Sequence, residues 1–382
     1  MNKDYIRPDA WSIIEEGYDP GRVKSSESLF ALGNGAMGQR ANFEEDYSGP
    51  TFQGSYIAGV YYPDKTRVGW WKNGYPEYFA KVLNAPNWIG IKVIVDGEVM
   101  DLAQCQEVSH FRRELNMREG WYRRTFTATL GNGAIINVEA TRFLSLDLDE
   151  LGAISYQLTP INQDVSVTLI PYLDSGIKNE DSNWDDQFWE TTKVSVSNNQ
   201  AFIEAHTLKT LFATSTFMEA QLLKNGKKLK SKPTVVEDNL WIGHEYQVKA
   251  SKGETVELQK FGGYTVSRNH GADSLVAVAQ KVLKVAVDLG FSTLLKKQKE
   301  AWGRIWEMSD ITIEGDVKAQ QGIRFNIFQL NQTYTGTDSR LNIGPKGFTG
   351  EKYGGGTYWD TEGYCLPFFF YTQKQKRERE RL

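Results

Sequence analysis

The sequence predicts a multidomain chain in which a large antiparallel β-sandwich is followed by helices. Three observations carry this reading. From about residue 20 to 265 the pattern is period-two alternation of apolar and polar residues, as half-buried strands require. Glycine-containing turns cut that alternation at short intervals. After residue 270 the apolar period lengthens to that of a helix. So many consecutive strands argue for a sandwich rather than βαβ units.

Taken in order, Ile91 to Val95 and Glu98 to Leu102 flank Asp96-Gly97, a dipeptide that readily takes the positive φ angles of a tight hairpin turn. Trp121 to Leu130 and Ala134 to Ala140 flank Gly131-Asn132-Gly133 in the same way. Ile154 to Leu158, Val165 to Leu169, Val194 to Val196, Ala201 to Ala205, Leu211 to Phe217 and Thr255 to Leu258 continue the series. Leu275, Val278, Ala279, Val282, Leu283 and Ala286 then fall at helical spacing, with Gly290 as a stop. A second helix places Leu294, Leu295, Ala301, Trp302, Ile305 and Trp306 on one side and Lys296-Lys297 on the other. Beyond a short segment, Asp310 to Glu314, a further helix over Gln320 to Thr335 carries Ile323, Ile327, Phe328 and Leu330. A glycine-rich loop runs from Gly336 to Thr357, and Thr361 to Thr372 begins one more helix.

Composition narrows the function. The 382 residues are 40% apolar and 24% charged, an ordinary globular mixture, with a formal charge of −4. That charge gives no electrostatic footprint for nucleic acid or an anionic membrane. Two cysteines, Cys105 and Cys365, and four histidines are scattered without metal-ligand spacing or a disulfide framework. The start, Met1-Asn2-Lys3-Asp4-Tyr5, has no apolar h-region, and no run of about 18 apolar residues spans a membrane. The expectation is a cytoplasmic protein. Aromatic residues reach 13%, with 11 Trp. Flat apolar rings suit the faces of sugars, and they also fill large β cores.

Two motifs bear on chemistry. Gly33-Asn34-Gly35-Ala36-Met37-Gly38 satisfies the G-x-G-x-x-G dinucleotide fingerprint, yet no apolar helical face follows it and no βαβ unit surrounds it. It reads as a glycine-rich turn in a β domain. The loop from Arg340 to Glu362 is the densest chemical stretch, and long ordered loops usually serve function. Within it Trp359 beside Asp360 is what a sugar subsite needs: an apolar face under the ring and a carboxylate to accept from its hydroxyls. The same residues also suit a helix N-terminus, with Asp360 as cap and Thr361 and Glu362 in the first turn. Glu362, Glu351 and Asp338 are the remaining candidates for a general acid, and each is read as structural or as a secondary binding group.

Several blocks together carry a family resemblance: Glu27 to Arg40, Phe43-Glu44-Glu45-Asp46-Tyr47-Ser48-Gly49, Val60 to Pro76, and the loop ending at Trp359-Asp360. In this order they resemble the inverting disaccharide phosphorylases of glycoside hydrolase family 65, from about residue 8 to 371, with the maltose-cleaving members nearest. The resemblance implies a β-sandwich over 1–268, a helical linker over 269–309, and the truncated start of an (α/α)6 catalytic barrel over 310–382. It implies that inorganic phosphate attacks the anomeric carbon while one glutamic acid protonates the leaving oxygen, turning maltose into β-glucose 1-phosphate and glucose. Trp359 and Asp360 match the family's binding pair for the non-reducing glucose. The acid glutamate and the phosphate-binding residues are expected beyond Leu382, phosphate is a co-substrate, and no metal or organic cofactor is implied. A homodimer is also implied. The ending changes abruptly from Leu366-Pro367-Phe368-Phe369-Phe370-Tyr371 to a charged run, a departure expected of a truncated gene product. Two alternatives stay open: a non-catalytic carbohydrate-binding or interaction module, or a parent acting on trehalose, kojibiose or nigerose.

Overall fold

Alternating strands with one apolar face must pair and then stack, and among the described residues the two largest of four antiparallel sheets lie face to face. In the computed structural model the described residues are 5–66, 77–180, 186–344, 346–351 and 358–372. Residues 67–76 of the block ending at Pro76, residues 352–357 of the glycine loop and the charged run after Thr372 lie outside them. The larger sheet has eleven strands. Its central order is Ser12–Glu16, Glu107–Asn116, Trp121–Thr129, Ile135–Leu144, Leu151–Pro160, Val256–Val266, Ala213–Lys224, Gln200–Thr207 and Trp189–Ser197. The facing five-stranded sheet is built around Val165–Asp174, between Trp241–Ala250 and Ile91–Val95.

Turn chemistry sets the register. Asp96 and Gly97 take φ of 48° and 84° and join Val95 to Glu98, the two positive angles a tight hairpin demands. The returning strand covers only Glu98–Val99, shorter than the expected run to Leu102. The Glu98 carboxylate turns instead to accept from the Gly131 and Asn132 amides of the neighbouring turn at 2.6 and 2.7 Å.

Side-chain parity sorts the large sheet into two faces. Ile154, Tyr156 and Leu158 point into the core between the sheets, while Leu151 and Ala153 point outward. The outward face carries Phe143, Phe217 and Phe261 and is covered by a long helix, α2, Leu275–Ser309. The short helix α1, Val23–Leu29, lies within the stretch read as strands. It is nucleated by Pro20–Arg22, whose Asp19 cap accepts from the Gly21 amide, a local signal too brief for periodicity to register. The two expected linker helices are present and meet end to end at Gly290, whose φ of 73° and ψ of 162° interrupt the helical path; the pair is labelled α2 together. Helix α3, Val317–Thr333, starts three residues earlier than expected because Asp316 caps it through the Ala319 amide at 2.9 Å. The last helix is a π-helical turn, Thr361–Cys365, continuing into α4, Leu366–Thr372.

The sandwich core also holds charge. Arg124 and Arg142, both buried, reach Glu44 at 2.7 and 2.8 Å, Arg124 also pairs with Glu45, and Tyr156 donates to Glu45 at 2.7 Å. The Phe43-Glu44-Glu45 block is therefore part of the core, where each ion must be paired to be tolerated. No helix among the described residues is long and apolar enough to cross a membrane.

Candidate functional site

The described part of the loop that follows α3, residues 336–344 and 346–351, is held at several points by the preceding part of the chain. At its root, Gly35 donates its amide to the Gln332 carbonyl at 2.8 Å, satisfying one of the acceptors that a helix C-terminus leaves free. Next, Asp338 accepts from Arg268 at 2.5 Å and from Arg340 at 2.8 Å, and Arg340 continues to the Arg268 carbonyl at 2.6 Å and Asn269 at 2.7 Å. Tyr61 donates to Asn342 at 2.7 Å. Phe348 is buried against the hairpin Leu32–Gln39, and the Thr349 carbonyl accepts from Ser28 at 3.1 Å and from the Arg40 guanidinium. Glu351 accepts from the Glu180 amide at 3.1 Å.

Arg40 illustrates how the grip is held in place. It is only 4% exposed, donates to the Phe52 and Lys24 carbonyls at 2.7 Å each, and lies 3.6 Å from the Glu27 carboxylate. A guanidinium satisfied on several sides this way makes a rigid bracket.

Where the chain is described again, Tyr358, Trp359 and Asp360 open the terminal helix. Trp359 is 88% exposed and Asp360 is exposed beside it. Asp360 has helical φ and ψ and its side chain makes no capping bond, so it stands inside the first turn and not at the cap. The π-helical turn after it is a widened geometry frequent at functional sites. Thr361 ties this turn to the loop by donating to the Ile343 carbonyl at 2.8 Å. Burial first, and the Asp360 charge second, push the Cys365 thiol up. Between α1, α3 and the loop runs an open cleft of about 480 Å³, whose walls include Ser28, Phe325, Gln329, Thr333, Lys346 and Cys365. Trp359 and Asp360 do not line it.

The three other acids separate by environment. The Arg340 guanidinium bonded to Asp338, with Arg268 beside it, holds that carboxyl well below the usual carboxylate range, the opposite of what a general acid needs. Glu351 is buried and occupied by a backbone amide, and Glu362 is exposed on the π-helical turn. The contacts that join Arg40, Arg268, Asp338 and Phe348 to their partners are not legible in the sequence. Arg268 and Asp338 are 70 positions apart and Arg40 and Thr349 are 309 apart, so no local pattern joins them.

Residues 13–305 match "Glycosyl hydrolase family 65, N-terminal domain", and residues 324–382 match "Glycosyl hydrolase family 65 central catalytic domain". The chain is 43% identical to "Maltose phosphorylase" of Bacillus subtilis (strain 168) over 97% of its own length and 48% of that protein's. It is 33% identical to "Alpha,alpha-trehalose phosphorylase" of Thermoanaerobacter brockii over 96% of its length and 48% of that protein's. A solved structure described as "Putative kojibiose phosphorylase from human microbiome" superposes with a TM-score of 0.88 at 30% identity, over 97% of this chain and 48% of the other. The chain thus spans about half the length of the curated relatives it matches. Its family model covers most of its residues, and its architecture is an antiparallel sandwich joined to the first helices of a longer fold: the chain belongs to glycosyl hydrolase family 65.

Proposed function

We propose that the protein serves the inverting phosphorolysis of a glucose disaccharide, maltose, to β-glucose 1-phosphate and glucose. In that reaction a phosphate oxygen attacks the anomeric carbon from the face opposite the glycosidic oxygen. The C–O bond to the leaving sugar breaks, and a carboxylic acid delivers its proton to that oxygen, so the configuration inverts. The observation that carries the reading is the exposed Trp359-Asp360 pair on a helix whose preceding loop is gripped by the sandwich. Trp359 lies under the non-reducing glucose and Asp360 accepts from its hydroxyls. We assign 1–268 to the sandwich, 269–309 to the linker and 310–382 to the start of the catalytic barrel. None of Asp338, Glu351 and Glu362 is the general acid; that glutamate and the phosphate ligands belong to the part of the family's length outside these residues.

Calorimetric titration of maltose into the chain tests the binding pair. Asp360→Ala is expected to weaken binding by about 10-fold or more, the loss typical of a charge-assisted hydrogen bond. Unchanged affinity would sink the assignment of Asp360. Glucose 1-phosphate formed from maltose and phosphate by these 382 residues alone would overturn the placement of the acid. Trehalose and kojibiose, run in parallel, decide the linkage, since relatives named for both are 28–33% identical.

A further inference from the structure

We propose that the glycine hairpin of the sandwich is a positioning element of the sugar site: Gly33 and Gly38 form a seat for Phe348, and this contact fixes where Trp359 and Asp360 stand. The proposal rests on the reading of those two residues as a sugar subsite.

The hairpin pairs Leu32–Gly33 with Met37–Gln39 around Asn34-Gly35-Ala36, and Gly33 lies directly opposite Gly38 in the register. Cross-strand partners share one face, so two missing side chains make a single notch. Of the three glycines only Gly35, at φ 82°, occupies the left-handed region; Asn34 builds the turn by accepting from the Ala36 and Met37 amides. Backbone freedom therefore explains Gly35 and neither of the others. What explains them is Phe348. A Cβ on Gly33 would come within 2.6 Å of the Phe348 ring and 2.8 Å of the Gln332 carbonyl oxygen, and one on Gly38 would overlap Phe348 Cγ and Cβ outright. Phe348 is 8% exposed and adjoins Thr349, whose carbonyl the Arg40 bracket holds. The loop then meets the sugar site through a direct bond, Thr361 to the Ile343 carbonyl, one residue from Asp360. The glycine spacing that mimics a dinucleotide fingerprint is thus accounted for by the turn at Gly35 and by the packing against Gly33 and Gly38.

Three variants of the chain test this: Gly38→Ala, Phe348→Gly and the two combined, which adds a methyl group where the ring has been removed. Hydrogen exchange of peptides covering 336–351 and 358–372 reads the position of the loop without reference to sugar, and maltose titration reads the subsite. Each single variant is expected to raise exchange in both segments by about 10-fold while strands Leu151–Pro160 and Val256–Val266 keep their protection. Maltose affinity should fall by about 10-fold or more, as misplacement by an ångström predicts. The combined variant should be no worse than the poorer single one, and Phe348→Leu should stay near wild type because it keeps the seat filled. Unchanged exchange over 358–372 in Phe348→Gly, or strictly additive effects in the combined variant, overturns the proposal. If Gly38→Ala fails to fold, Phe348→Gly and Phe348→Leu decide. Raised exchange with undiminished maltose binding would keep the seat and remove the subsite reading; maltose binding lost in Asp360→Ala with exchange unmoved in the seat variants would do the reverse.

Discussion

Single buried side chains carry the chain's acid sensitivity. His244, on the strand Trp241–Ala250, is fully buried and neither ring nitrogen has a hydrogen-bond partner among the described residues. Burial, and then the nearby Lys260 ammonium, lower its pKa to about 4. Lys260 is itself buried and donates to the carbonyls of Gly90 and Tyr172 at 2.8 and 2.7 Å, and burial pulls its pKa well below the ordinary lysine value. An unfolded histidine titrates near 6.5, so between about 6.5 and 4 the unfolded chain binds a proton that the folded chain refuses. Stability from this residue is therefore full above pH 6.5 and declines as pH falls toward 4, by roughly 3 kcal/mol in all. Urea unfolding followed from pH 7.5 to 4 should show His244→Leu flattening that decline; an identical slope in the variant would refute it. None of this is legible in sequence, because His244 and Lys260 lie on strands of different sheets and meet only across the core. Trp359 and Asp360, adjacent in the chain, are legible for the opposite reason.

Among elements, α2 shows what periodicity predicts well and where a single glycine intervenes. Ala279, Val282, Leu283 and Ala286 pack on the outer face of the large sheet, as their spacing predicts. Trp302 and Trp306 turn to the other core, where Trp302 stacks on Phe328 at 4.4 Å and Trp306 meets Trp11 edge-on at 5.1 Å. Phe291 and Leu294 stay on the outer face, and between the two helices Gly290 supplies a break at angles essentially reserved for glycine. A Cβ there would meet nothing within 4 Å, so substitution tests backbone strain alone. Gly290→Ala should cost about 1–3 kcal/mol and lower the melting temperature by a few degrees. An unshifted melting curve would show that the kink is not enforced by the glycine. The faces of these helices were readable from sequence because burial is one-sided; α1 was not, being too short to complete two turns of pattern.

At the scale of the whole molecule, the sandwich and the helical part are coupled through α3. Arg324 lies 3.6 Å over the Trp11 ring, forks onto Asp310 with two bonds of 2.8 Å, and reaches the Ala10 carbonyl at 3.1 Å. The far side of the terminal helix is different. Phe369 is buried against Tyr334, but Trp359, Tyr364, Phe370 and Tyr371 are 88, 79, 46 and 79% exposed. Four exposed aromatic rings on one terminal helical stretch favour association. Light scattering should show the 382-residue chain associating with rising concentration, and Tyr364→Ser combined with Phe370→Ser and Tyr371→Ser should reduce it; a clean monomer at all concentrations would contradict this.

Sequence alone determined the class of fold and the helical faces, because each is written in neighbours or in a short period, and the proposal for Trp359 and Asp360 likewise starts from two adjacent residues. Tertiary structure decided what packs against Gly33 and Gly38, that arginines lock Asp338, and how the loop after α3 is held. Those contacts join residues as far apart as Ser28 and Thr349, 321 positions, or Arg40 and Thr349, 309 positions, which leaves no pattern along the chain. Their energy depends on burial and on distance in space, which only the packed sheets supply.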